Sequence, residues 1–286
     1  MKKLLALLAF AIGTAAPLAH ASESSISLDH FPAHKLKSLP ALQNGAKLFV
    51  NYCLNCHATS AMRYNRLQEL GLTPEQISES LLFSSTKVGD LMTIAAKPAD
   101  QKVWFGAPPP DLSLTARSRS SPSGSGASWI YTYLRSFYRD AERPTGWNNT
   151  VFANVNMPHV LWELQGARTL TQEETKKVAD PATKSEKWAR VTTTWDEFGV
   201  KTVKQDALPE GGHYHEGIGR IDWKALEPDK ARAYDEQIAD IVAYMSWVAE
   251  PVLSTRYRLG VIVLMFLGVF SVLAWGLNRA YWKNIK

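Results

Sequence analysis

Only two cysteines occur among the 286 residues, and both stand in one short run, Cys53-Leu54-Asn55-Cys56-His57. Two thiols one helical turn apart can add to the two vinyl groups of a single haem, and the adjacent histidine is then placed to bind the iron from one face. A disulfide, the ordinary use of a cysteine pair in an oxidising compartment, would leave His57 without a role. Zinc would need further ligands, and there are no more cysteines. The spacing predicts one covalently held haem c. A single motif excludes a multi-haem wire and a di-haem peroxidase.

The iron of such a haem has a sixth position. A methionine thioether there raises the reduction potential and suits a high-potential carrier, whereas a second histidine lowers it. Of the six methionines, Met1 belongs to an export signal and Met265 to an apolar C-terminal run. Met62 follows Cys56 too closely to reach the other face, and Met245 falls in an apolar helical stripe, where methionine usually packs. Met92 and Met157 remain. Met157 lies in Asn154-Val155-Asn156-Met157-Pro158-His159, a loop stiffened by Pro158, with His159 as its nearest rival. No general acid, base or nucleophile stands out elsewhere.

The elements that position these groups are helical by pattern. Leu48, Phe49 and Tyr52 form an apolar face leading into the cysteines, and Ile238, Ile241, Val242 and Met245 repeat with helical period near the far end. Trp129–Tyr138 is aromatic and reads as a helix lining the haem pocket. Residues 118–128 are rich in Ser and Gly and read as a loop. Residues 171–217 are polar and charged, with one strand-like stretch at Arg190–Trp195, and read as an insertion on the core. His213 and His215 lie in a Gly-rich loop without a carboxylate set, so a solvated pair is expected there rather than a metal site.

The two ends give the location. Lys2 and Lys3, the apolar Leu4–Ile12 and the small-x-small Ala19-His20-Ala21 read as a cleaved signal over residues 1–21. Leu259–Leu277 carries no charge and is about 28 Å long as a helix, enough to cross a bilayer. The expected layout is a periplasmic haem domain over residues 22–255 and an inner-membrane anchor over 256–286 with its C-terminus in the cytoplasm. The formal charge of +5 comes from these ends. Without the seven basic residues of the signal and the anchor flanks, 25 remain of 32, against 27 acidic, so the domain is about −2. That removes any support for nucleic-acid binding and favours a basic redox partner.

In order along the chain, the haem motif is followed by Pro109-Pro110-Asp111-Leu112-Ser113 with Arg117, by the Met157 segment, and by Tyr244-Met245-Ser246-Trp247-Val248-Ala249-Glu250-Pro251 leading into the span. This ordered set resembles the cytochrome c1 family in its proteobacterial form, over nearly the whole mature chain. The resemblance implies a mostly α, c-type cytochrome fold with insertions and one C-terminal transmembrane helix. It implies Met157 as the axial methionine, Pro110 beside the histidine face of the haem, and Arg117 near a haem propionate, although Arg119 is just as basic. It also implies the haem subunit of ubiquinol–cytochrome c oxidoreductase. The partners implied are cytochrome b, a Rieske iron–sulfur subunit and a soluble c-type cytochrome as acceptor, within a dimeric complex. A free-standing membrane-tethered shuttle shares the haem and span but does not account for the Pro109–Arg117 block or the insertion. A gas-sensing haem would need an open sixth position, and Met157 argues against it.

Overall fold

The computed structural model describes residues 27–179 and 185–283, so the signal segment over 1–21 and the last three residues lie outside the described part. Helix α1 (Leu39–Leu48) starts where Ser38 caps the Ala41 amide and Pro40 sits in the first turn, a position that tolerates its missing N–H. It does not stop at Leu48. The backbone widens into a single π-helical stretch over Phe49–Cys53, which delivers the first cysteine. Short helices α2 (Pro74–Ser80), α3 (Pro98–Phe105) and α4 (Thr115–Ser118) follow, then α5 (Gly126–Arg135), α6 (Trp162–Gln165), α7 (Pro228–Ala249) and α8 (Leu253–Tyr281).

The core is built on α1 against α7. Helix α1 buries Ala41, Leu42, Gly45 and Ala46; α7 buries Tyr234, Ile238, Ile241, Val242 and Tyr244, as its period foretold. The two helices meet most closely at Gly45, where a Cβ atom would lie 2.0 Å from the Asp240 carbonyl oxygen. Polar anchors fix the crossing: Asp240, 8% exposed, accepts from Lys35 Nζ and Asn44 Nδ2, each at 2.9 Å. Helix α5 is tied to α7 by Tyr234 donating to the Leu134 carbonyl at 2.7 Å and by Arg135 forking onto Asp235 at 2.6 and 2.9 Å.

The expectation of a mostly α protein holds in part: helix accounts for 44%, with one apolar C-terminal helix, but strand accounts for 21%. Two small antiparallel pairs, β1 (Thr59–Arg63) with β2 (Leu91–Met92) and β3 (Phe137–Arg139) with β4 (Trp147–Asn149), flank the cysteine segment and α5. The larger addition is a four-stranded antiparallel sheet of order β7-β6-β5-β8, with β5 Arg168–Ala179, β6 Glu186–Trp195, β7 Lys201–Ala207 and β8 Gly217–Ala225. Only its root is in a core, where Leu170 and Trp195 pack with Tyr138 and Ile221. Every residue of β7 is exposed. The expected strand at Arg190–Trp195 is therefore the last six residues of β6, and the other three strands of the sheet went unseen.

The aromatic run begins as α5, three residues earlier than its expected start at Trp129, and its last residues, Phe137 and Tyr138, are strand β3. At the other end, the helix segment Thr255–Tyr281 in α8 contains an 18-residue window of mean hydropathy 2.4 in which no residue is buried, as expected of a helix facing lipid.

Candidate functional site

Cys53, Cys56 and His57 come together because the π-helical stretch ends in a tight turn: the Cys53 carbonyl accepts from both the Cys56 amide (3.1 Å) and the His57 amide (2.9 Å). Gln101, 3% exposed, donates from Nε2 to the Cys56 carbonyl at 3.0 Å. Nothing in the sequence singled it out, since a lone Gln in a short helix carries no motif. Downstream, residues 57–61 are zipped to 110–113. Leu112 donates to Ala58, the Ser60 amide and hydroxyl both reach Asp111 Oδ2 at 2.8 and 2.7 Å, and the Ala61 amide reaches the Ser113 hydroxyl.

Within this zipper His57 Nδ1 lies 2.8 Å from the Pro110 carbonyl oxygen. A carbonyl only accepts, so Nδ1 holds the proton and Nε2 keeps its lone pair for a metal. Burial holds the imidazole pKa below its ordinary value, ahead of the opposing pulls of Pro110 and Asp111, so the ring is neutral at pH about 7. The Cys53 thiol is pushed up to about 12, first by burial and then by Cys56. A catalytic redox pair needs a depressed thiol, so this is the wrong setting for one.

Asp111 itself is held below the ordinary carboxylate range. Burial opposes this, and the hydrogen bonds from Ser113 and Ser60 outweigh it. The stabilisation from such a depressed carboxyl exists above its unfolded pKa and is lost as pH falls through the folded one. Asp111→Asn is therefore expected to lower the thermal midpoint at neutral pH, with the gap to the parent closing as the pH falls below the ordinary carboxylate range. A gap that stays constant from neutral to acid pH would show that the charge contributes nothing.

Met157, on the loop after β4, lines the same apolar cavity of about 390 Å³ as the cysteine segment. Tyr52, Cys53, Cys56, His57 and Pro110 line it together with Tyr133, Phe152, Asn156 and Met245 of α7. The volume and mostly apolar lining are those of a cofactor pocket. His159, by contrast, does not line it. Its ring is 2% exposed and stacked on Phe137 at 4.7 Å, with Trp147 edge-on at 4.9 Å. Burial first, then the charge of Arg168, push its pKa down to about 3. Of the two sixth-ligand rivals, the fold brings Met157 to the cysteines and sets His159 in an aromatic stack. Met92 is fully buried and accepts from the Tyr244 hydroxyl at 3.6 Å.

The cationic side chain at the cavity is Arg119, whose guanidinium lies 4.4 Å over the Trp129 ring. Arg117 sits exposed on α4 and does not line the cavity. Among the described residues no carboxylate pairs with Arg119. A second cleft of about 480 Å³, walled by Arg139, Trp147, Trp162 and Glu227, contains neither thiol nor Met157. His213 and His215 join no group of three or more metal-ligating side chains among the described residues.

The family model described as "Cytochrome C1 family" matches residues 32–190 and 224–285, well over half of the chain. The chain belongs to the cytochrome c1 family. Cytochrome c1 of Allochromatium vinosum is 38% identical over 252 residues, covering 87% of this chain and 86% of that protein. The Nitrosomonas europaea protein named ammonia monooxygenase gamma subunit is 35% identical over 283 residues, 99% of each chain. Cytochrome c1 of Rhodospirillum rubrum is 28% identical over 267 residues, 86% of this chain and 82% of its own. As a cytochrome c1, the chain is an electron-transfer subunit of the bc1 complex, and the family implies a c-type haem. The stretch the family model passes over, 191–223, holds the end of β6, all of β7 and most of β8.

Proposed function

We propose that this cytochrome c1 carries one haem c, bound covalently through Cys53 and Cys56, and passes electrons from the Rieske iron–sulfur subunit to a soluble c-type cytochrome. The observation that carries the reading is that both thiols, the His57 ring and Met157 line a single apolar cavity. The residues fit the group: a neutral imidazole with Nδ1 committed to Pro110, a thioether lining the same cavity, and a cation that no carboxylate among the described residues pairs with, available to a carboxylate of the haem. When bound, the haem supplies one-electron chemistry between ferric and ferrous iron.

The chain's own residues do the rest. Cys53 and Cys56 would hold the ring, Pro110 orients His57 through its Nδ1 bond, and Met157 would supply the second protein ligand so that no substrate binds the iron. Arg119, which lines the cavity where Arg117 does not, pairs with a propionate in this reading. The apolar walls keep water away and so limit solvent reorganisation. In this reading residues 1–21 are removed on export, 22–255 form the periplasmic domain beside cytochrome b, and 256–286 anchor it in the inner membrane of a dimeric complex.

The test is to purify the tagged chain from native membranes and record spectra before and after adding ubiquinol. Co-purifying b-type haem and quinol-dependent reduction of the c-type haem are the expected results. A c-type haem alone, left oxidised by quinol after gentle solubilisation, would instead establish the tethered shuttle.

A further inference from the structure

The structure assigns to Tyr133 a part in setting the reduction potential: its hydroxyl donates to the Met157 sulfur at 3.3 Å, which we propose both orients the thioether and withdraws electron density from it. The ring is well placed to hold that aim. It stacks on Trp129 at 5.0 Å with planes 10° apart, meets Phe137 edge-on at 5.2 Å, and its own carbonyl accepts from Asn149 Nδ2 at 2.8 Å. Met157, by contrast, sits half-buried on a loop, where nothing in regular structure fixes its side chain. A thioether has two lone pairs. One can accept from Tyr133 while the other remains for iron, and a donor on the first makes the sulfur a weaker donor through the second. A weaker sulfur donor disfavours ferric iron more than ferrous, so the hydrogen bond raises the potential.

This inference rests on Met157 being the sixth ligand, and the experiment separates the two. In the assembled complex, Tyr133→Phe keeps the ring, its stacking and the fold. It is expected to lower the equilibrium constant for one-electron reduction about threefold, which is about 28 mV at 59 mV per decade. Imidazole added to the ferric protein is expected to displace Met157 about fivefold faster, the size of one lost hydrogen bond. In a Met157→Leu background the same change should leave the potential where Met157→Leu alone puts it, because the hydroxyl no longer has a sulfur to act on. An unaltered potential and displacement rate in Tyr133→Phe would overturn the proposal, as would a shift that persists without Met157. If instead Met157→Leu leaves the haem spectrum and potential of the parent, the ligand assignment itself has failed. Comparing thermal midpoints with and without Tyr133→Phe in the Met157→Leu background shows whether packing was disturbed, since there the hydroxyl has no sulfur bond to lose and only a loss of packing moves the midpoint.

Discussion

Replacing Met157 with leucine is expected to leave the haem attached and open its sixth position. The cysteines that hold the ring lie on a different segment, and leucine fills nearly the volume of methionine, so the fold should tolerate the change at a cost below about 1.5 kcal/mol. The loss is electronic. Without the thioether, the reduction potential should fall by on the order of 0.2 V, a fraction of the roughly 0.8 V that axial ligands span. Carbon monoxide, which cannot compete with a strong internal ligand, should then bind the ferrous protein. Redox titration and a carbon monoxide difference spectrum check both parts. A variant that keeps its potential and refuses the gas would transfer the ligand role elsewhere, with Met245 the next candidate in the cavity wall.

The second large effect lies far from any chemistry. Alanine normally stabilises a helix interior relative to glycine by about 1 kcal/mol. At position 45 the sign should reverse. The new Cβ would stand 2.0 Å from the Asp240 oxygen, 2.7 Å from its carbonyl carbon and 2.8 Å from Tyr244 Cβ. The first two are backbone atoms of α7, so no rotamer change relieves the clash and the helices have to separate. Separation strains the Lys35 and Asn44 bonds to Asp240 and the Phe49–Tyr244 ring contact at 5.3 Å. Phe49 opens the π-helical stretch that carries Cys53, so the disturbance reaches the haem motif. Gly45→Ala is expected to cost about 3 kcal/mol or more, at the upper end of overpacking penalties. Urea midpoints decide it, and a variant as stable as the parent would mean that the helix pair is not closely packed here.

The sequence exposed the parts of this molecule that obey one strong rule each. Cys53, Cys56 and His57 are a motif, α7 has a clean helical period, and Leu259–Leu277 is apolar without interruption. The sheet obeys no such rule. Strand β5 reads Thr-Gln-Glu-Glu-Thr-Lys-Lys through its middle, where residues 171–176 are all half-buried rather than alternately buried and exposed, so the sequence shows no alternation to follow. Leu170, Ala189, Val191 and Trp195 are its buried apolar residues, too few to mark four strands. The choice between Arg117 and Arg119 was closed to sequence for another reason. Arg117 is within the single turn of α4 and Arg119 is its C-terminal cap, and only the chain's turn toward Ser125 brings the second one back over Trp129. Tyr133 was visible as part of an aromatic helix. Its aim at Met157 depends on two segments 24 residues apart meeting across the cavity.

Helix α7 ends at Ala249 and α8 begins at Leu253, leaving three residues between them, with Glu250 also bonded to Arg256 across the join. A link that short reaches no further than about 10 Å. Met245, in the cavity wall, lies about one turn before it. With α8 in a bilayer, the cavity is thus moored at a nearly fixed height above the lipid and has no tether on which to travel. Any partner that exchanges an electron with this cavity therefore has to come to it.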